Sequence, residues 1–304
     1  MRAITYSRYG GPDVLETTDL PTPKVGPDSV LVRVRAASVN PVDWKVREGY
    51  LDQVMDAVFP VVPGWDVAGV VERVGLDTPE LQVGDEVYGY VRKDVVGGEV
   101  SGGTFAELVA APVRTLARKP AAWSFEEAAA VPLAGLTAYQ TIRRTGLAAG
   151  QTVLVHAAAG GVGSFAVQIA KALGARVLGT ASERNHDFLR SLGAEPVTYG
   201  DGLAERVRAL APEGVAVVLD HVGGDAPDSV PPVLRDRGTV APIPDARARP
   251  PLGRPSVGAR PAAAPPGCRT GSAGARGPSM RWNLRRPAAG ASSASRVASM
   301  LTAS

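Results

Sequence analysis

The sequence predicts an α/β protein in two parts, a β-rich N-terminal unit followed by an alternating unit with a parallel sheet. Three observations carry that prediction. Short apolar runs, closely punctuated by Gly and Pro, fill about the first 120 residues. Beyond residue 123, apolar strands alternate with helical segments. Within that second part, one strand runs through a glycine-rich turn straight into a helix. Alternation of this kind marks βαβ units and a parallel sheet.

In the first part, Val30–Ala36, Val67–Val74 and Glu86–Val91 are rich in residues that suit a pleated, half-buried surface and read as strands. Their close Gly and Pro punctuation predicts an irregular, barrel-like unit. Ser124 followed by Glu127 is a capping-box signature, and it opens an Ala-rich helical stretch over 125–134. In the second part the strands are Thr152–His156, Arg176–Thr180 and Val215–Asp220, and the helices Ser164–Leu173, Asn185–Leu192 and Leu203–Leu210. Gly193 follows Leu192 where a helix end needs left-handed backbone. A last strand is expected over Gly238–Ile243.

The 304 residues carry a formal charge of +3, but the charge is unevenly placed. Residues 241–304 hold ten Arg and a single acid, Asp245, so this segment carries +9 and the first 240 residues carry −6. Ala, Pro, Arg, Ser and Gly make up 50 of its 64 residues. Such a composition offers too little apolar surface to offset the entropy of ordering it. The expected organisation is therefore a β-rich domain over 1–122, a nucleotide-binding domain over 123–245 and a low-complexity, disordered tail over 246–304. Clustered Arg attracts phosphates in a salt-dependent way, but Trp282 is the tail's sole aromatic residue, so no nucleic-acid partner is expected.

The Met1–Gly11 start shows no charged region leading into an apolar run, and no stretch of about 18 apolar residues occurs. A single cysteine, Cys268, leaves no internal disulfide framework and no multi-cysteine zinc site. These features predict a soluble, cytoplasmic protein with no membrane partner.

The glycine-rich turn reads Ala158-x-Gly160-Gly161-Val162-Gly163, a dinucleotide fingerprint with alanine at its first glycine. Gly160 lets the backbone approach a pyrophosphate, and Gly163 lets the following helix pack close to the strand. The phosphates would lie on the unpaired N–H groups at the positive end of that helix. Cofactor choice is made near the end of the second strand, where the chain reads Gly179-Thr180-Ala181-Ser182-Glu183-Arg184. An acid there would bind the ribose 2′-hydroxyl. Ser182 stands about where that acid is expected, and Arg184 is placed for a charge-assisted bond to a 2′-phosphate, worth about 1.5–3 kcal/mol. This favours NADPH. Read otherwise, Ser182 caps the next helix, Arg184 is a solvated first-turn residue, and Glu183 counts against the phosphate.

Further motifs occur along the chain. In order, they are Asn40-Pro41-Val-Asp43-Trp44-Lys45-Val-Arg47-Glu-Gly49, Pro63-Gly64-Trp65-Asp66, Val83-Gly84-Asp85, Gly103 to Glu107, Pro132 to Tyr139, and Leu219-Asp220-His221-Val222-Gly223-Gly224. Together with the glycine turn they resemble the medium-chain dehydrogenase/reductases, above all the zinc-independent quinone oxidoreductase and alkenal (enone) reductase branch. The resemblance covers about residues 1–243. It implies a GroES-like catalytic domain and a Rossmann domain, with substrate and nicotinamide in the cleft between them. It implies NADPH-dependent hydride transfer to a quinone or an α,β-unsaturated carbonyl.

By the same resemblance, Asn40 and Lys45 face the nicotinamide end, Lys45 gives electrostatic help and Asp43 orients its neighbours. Thr137 contacts the nicotinamide, Thr180 at the end of the second strand contacts the cofactor, and Val222 and Gly223 line the ribose side. His221 reads as a packed loop histidine rather than a general acid. Zinc-dependent relatives hold their metal through Cys, His and an acid, whereas here those positions fall near Asn40, Trp65 and Asp66, so no metal is expected. Two alternatives remain: an enoyl reductase like those of polyketide synthases, and a non-catalytic NADPH-binding remnant.

In the resembling family, the chain after the fifth Rossmann strand supplies a sixth strand and then returns to the catalytic domain. Here Pro242-Ile-Pro244-Asp245 and the residues beyond show no such pattern. The expected fold therefore lacks the sixth strand and the C-terminal return, and a shift of reading frame near residues 240–246 would account for the composition. An intact frame on resequencing would overturn that account. Family dimers commonly form at the sheet edge concerned, which puts a homodimer in doubt.

Overall fold

The computed structural model describes residues 1–53, 55–92, 95–97, 102–222 and 231–242. Gly223, Ile243 and the 246–304 segment lie outside the described residues, and with them the expectations placed on the tail and on the sixth strand. The chain divides into two units, Met1–Gln140 and the chain from Thr141 onward.

In the first unit the elements run β1 (Arg2–Thr5), β2 (Glu16–Asp19), β3 (Ser29–Ser38), α1 (Pro41–Arg47), β4 (Asp56–Val58), β5 (Asp66–Val74), β6 (Glu86–Tyr90), β7 (Val95–Gly97), β8 (Leu108–Pro112), β9 (Leu116–Arg118), α2 (Phe125–Ala129) and α3 (Pro132–Thr145). The division between units falls within α3. Five strands form one antiparallel sheet in the order β8-β3-β5-β6-β9. The β3–β5 register shifts twice, between Leu31 and Val32 and between Val34 and Ala36. Such irregularities bend the strands of a sheet and sharpen their twist. Val30, Val32, Val67, Val71, Val87 and Val109 form the core inside it. This is the β-rich unit the sequence predicts.

The Ala-rich stretch expected over 125–134 proves to be two helices, because Pro132 opens α3 at a position where its missing N–H costs nothing. The capping box is present in both directions: Glu127 N–H donates to Ser124 Oγ at 3.1 Å, and Ser124 N–H donates to the Glu127 carboxylate at 3.0 Å.

The second unit continues with β10 (Thr152–Val155), α4 (Gly161–Ala172), β11 (Arg176–Thr180), α5 (His186–Ser191), β12 (Glu195–Val197), α6 (Leu203–Leu210), β13 (Val215–Asp220) and β14 (Leu234–Pro242). The sheet order is β12-β11-β10-β13-β14, with every neighbouring pair parallel. The strand order reverses between β10 and β13, and in open α/β sheets the carboxyl ends of strands at such a point form a crevice. All six residues of β13 are buried, as a central parallel strand requires. Leu154, Leu178, Val207, Val215, Val218 and Val233 form the core on one face. Gly193, at φ +83°, ends the α5 segment as the sequence indicates.

Candidate functional site

Turn and helix geometry sets the first part of the site. β10 ends at Val155, and Ala157 then takes a left-handed conformation at φ +49°. Thr180 stabilises the bend, since its Oγ1 accepts the Ala157 N–H at 3.1 Å and its carbonyl accepts the Ala158 N–H at 3.0 Å. Gly160 is the N-cap of α4. The helix therefore begins three residues earlier than Ser164, and its first N–H groups have no acceptor inside the helix.

The three glycines do different work. A Cβ at Gly163 would lie 2.1 Å from the Ala157 carbonyl oxygen and 2.7 Å from the Ala158 Cα, so close helix–strand contact demands glycine there. A Cβ at Gly160 would meet that same oxygen at 3.2 Å, and one at Gly161 would meet nothing within 4 Å. Gly161 thus borders open space at the positive end of α4. Ala158, where the fingerprint has its first glycine, is fully buried. Its methyl is accommodated because β11 has Gly179 opposite: a Cβ on Gly179 would come within 2.8 Å of the Ala158 Cβ.

A cavity of about 950 Å³ opens at the carboxyl ends of these strands. Its walls include Ala157 and Gly160 from the turn, Thr180 at the end of β11 with Ser182 and Arg184 beyond it, Tyr199 and Asp201 after β12, and Val222 after β13. Ser182 precedes a short 3-10 turn, Glu183–Asn185, and its hydroxyl accepts the Asn185 side-chain N–H at 3.2 Å. Arg184 is exposed on the wall, whereas Glu183, also exposed, does not line the cavity. Tyr199 and the Gly200–Glu205 segment of the far wall carry no local sequence signal. They reach the cavity because β12 pairs with β11 and hands the chain to α6 there.

His156 also lines the cavity, and Asp220 ends β13 with His221 following it. His156 is 4% exposed, its Nδ1 is 3.4 Å from Thr180 Oγ1, and burial lowers its pKa while Asp220 opposes that shift. His221 is pushed down to about 4, chiefly by burial, with Asp220 opposing and His156 adding to the fall. Neither ring nitrogen of His221 has a hydrogen-bond partner among the described residues. With that pKa the ring is neutral at pH 7, keeps a single N–H and is a poor general acid. Asp220 instead organises the loop, accepting the Val222 N–H at 2.9 Å.

The first unit brings Asn40 and Asp43 together at the start of α1. Asn40 is its N-cap, Pro41 fills the first turn, and the Asp43 carboxylate accepts the Asn40 N–H at 2.6 Å. Both residues are 8% exposed. Burial pushes Asp43 up to about 6, the Asn40 N–H works against the rise, and the nearby Asp66 adds to it. Lys45 is half-buried on the same helix, with its Nζ 5.8 Å from the Trp44 ring centroid. Trp44 in turn meets Tyr50 edge-on at 5.9 Å. Thr137 donates its hydroxyl to the Leu133 carbonyl at 2.7 Å, the bond expected of a residue serving a helix turn. Among the described residues, no group of three His, Cys, Asp or Glu side chains is arranged to hold a metal ion. No helix among them is long and apolar enough to cross a membrane.

A barrel-like unit and a dinucleotide-type parallel sheet together define a class that the comparisons identify. Residues 26–121 match the alcohol dehydrogenase GroES-like domain, and residues 161–243 match the zinc-binding dehydrogenase family. The quinone oxidoreductase of Coxiella burnetii superposes with a TM-score of 0.70 at 36% identity, over 80% of this chain and 75% of that one. The chain belongs to the medium-chain dehydrogenase/reductase superfamily. Within it, the chain is 40% identical over 226 residues to a 2-methylene-furan-3-one reductase of Solanum lycopersicum, covering 73% of this chain and 57% of that protein. It is 40% identical over 243 residues to the NADPH-dependent alkenal/one oxidoreductase, chloroplastic, of Arabidopsis thaliana, covering 79% and 61%. The chain thus spans about three fifths of the length of these curated relatives.

Proposed function

We propose that this chain binds NADPH in its second unit and reduces a small-molecule quinone or α,β-unsaturated carbonyl without a metal. The observation that carries the reading is the cavity at the turn, where the open N-terminus of α4, Ser182 and Arg184 line one space. The N–H groups after Gly160 suit a pyrophosphate, and the Arg184 guanidinium suits a 2′-phosphate. The similarity to the tomato 2-methylene-furan-3-one reductase and the Arabidopsis NADPH-dependent alkenal/one oxidoreductase supports the same chemistry.

NADPH, when bound, supplies the hydride. This chain's own residues then have to meet the charge that develops on the acceptor oxygen. Lys45 is the cation for that task, and the buried Asn40 amide, whose N–H₂ is engaged by Ser38 and Asp66, would offer its oxygen to the positive charge left on the nicotinamide as hydride departs. Asp43, titrating near 6, orients the first turn of α1, while the final proton comes from solvent or a nearby group. Val222 and Gly223 go with the ribose side, and Thr137 with the nicotinamide.

The test is NADPH binding by fluorescence, together with NADPH oxidation against a naphthoquinone, an enone and an enoyl thioester. Binding with turnover of the first two supports the reading. Turnover of the thioester alone, or binding without any turnover, overturns it. Arg184→Ala should weaken NADPH binding by about tenfold or more and leave NADH binding nearly unchanged. Equal losses for both cofactors would remove Arg184 from the phosphate site. A cytoplasmic location goes with this reading and is checked by fractionation, and sedimentation of the full chain decides the oligomeric state.

A further inference from the structure

Asp66 opens β5 and is fully buried, yet the proposed reaction gives it no part. Its carboxylate collects three donors from three separate places in the first unit. Oδ2 accepts the Ser38 hydroxyl at 2.7 Å and the Asn40 Nδ2 amide at 2.9 Å, and Oδ1 accepts the Leu133 N–H of α3 at 3.0 Å. Asn40 also donates from Nδ2 to Ser38 Oγ at 3.2 Å. Both amide hydrogens of Asn40 are therefore committed, and its Oδ1 is left as the acceptor end.

A carboxylate can only accept, whereas an amide in its place would offer both a donor and an acceptor. Only the acid leaves Asn40 no choice of orientation. Burying a carboxylate is costly, and the cost shows in the upward shift that burial imposes on Asp66, which the Ser38, Asn40 and Leu133 donors oppose.

We infer that Asp66 is a positioning residue, which fixes the Asn40 amide in one orientation for the reaction and ties it to the start of α3. The inference rests on the reading of Asn40 given above. Replacing Asp66 by Asn puts an N–H₂ against an N–H₂, and Asn40 turns over to present its oxygen instead. The other end of the Asn40 amide then changes from acceptor to donor, against the capping box at the start of α1, while the bond to the Leu133 N–H can still be made.

The experiment uses Asp66→Asn, Asn40→Ala and the double variant in the full chain, with two readouts. In steady-state kinetics, Asp66→Asn should lower kcat by about tenfold to a hundredfold, as misplacement at a reacting centre does, with the KM for NADPH within about twofold. The double variant should be no slower than Asn40→Ala. If Asp66→Asn costs as much in the Asn40→Ala background as in the wild type, or leaves kcat within about twofold, the inference is overturned. In NMR, the Asn40 side-chain amide should give a slowly exchanging, well-dispersed proton pair that Asp66→Asn abolishes, and an unchanged pair overturns the inference. This second readout decides the matter even if the wild type reduces no quinone or enone, an outcome that counts against the proposed reaction alone. Ser38→Ala removes one arm without touching the α3 contact. It is read in the same way should Asp66→Asn fail to fold.

Discussion

One methyl group separates what the turn tolerates at Gly161 from what it forbids at Gly163. At Gly163 the added Cβ would fall 2.1 Å from a main-chain oxygen, which cannot move without dragging β10 or α4 with it. Gly163→Ala should therefore cost about 1–3 kcal/mol of stability, as overpacking does, and lower the melting temperature. Gly161→Ala should melt with the wild type, since nothing in the protein lies within 4 Å, but bind NADPH markedly less well. Wild-type NADPH affinity in Gly161→Ala would show that phosphate does not approach that side. Much of this turn can be read from sequence, because a strand, spaced glycines and a helix are local features. The acceptor at Asp66 cannot, as its partner Leu133 lies 67 residues away and only tertiary folding joins them.

Short elements depend on their ends. α2 has only five residues, and its capping box satisfies two donors that would otherwise face solvent. Ser124→Ala should cost about 1 kcal/mol, seen as a melting temperature lower by about 2–4 °C. No change would mean that α2 is held by packing alone. The same local chemistry makes α2 legible in the sequence, and it is present at α1 as well, where Asn40, Pro41 and Asp43 occupy cap, first-turn and third positions. An Asn–Pro pair also suits a plain turn, which hides the helix. β12 escapes a sequence reading because three residues that include Pro196 carry no periodicity. β14 begins four residues before the strand expected at Gly238, because Leu234 packs against the sheet core while Arg235-Asp236-Arg237 reads as loop.

At the scale of the whole chain, the buried histidines of the second unit and the buried Asp43 of the first pull stability in opposite senses as pH falls. His221 has a folded pKa near 4 against an ordinary 6.5, so the neutral ring favours the fold. Its contribution is present above pH 6.5 and is lost as pH falls toward 4, and His156 shifts the same way. Asp43 has a folded pKa near 6 against 3.8, so its protonated form favours the fold. That contribution is present below pH 3.8 and is lost as pH rises through 6. Between pH 6.5 and 4 the second unit should therefore lose amide hydrogen-exchange protection along β10 and β13, while β5 and α1 hold theirs. Uniform loss in both units would refute the assignment. None of this is visible in composition, since three histidines and a net charge say nothing of which rings are buried.

The Ala158–Gly179 contact also bears on how such a sequence can drift. The two positions share room for a single methyl group, so they behave as one heritable trait with two spellings. Gly179→Ala alone should cost about 1–3 kcal/mol, and Ala158→Gly beside it should recover much of that loss, with the 3.1 Å approach to Leu189 keeping the exchange from being complete. A lineage with glycine at 158 would have room for a methyl group on the second strand once Leu189 gives way slightly, and one that kept alanine would not.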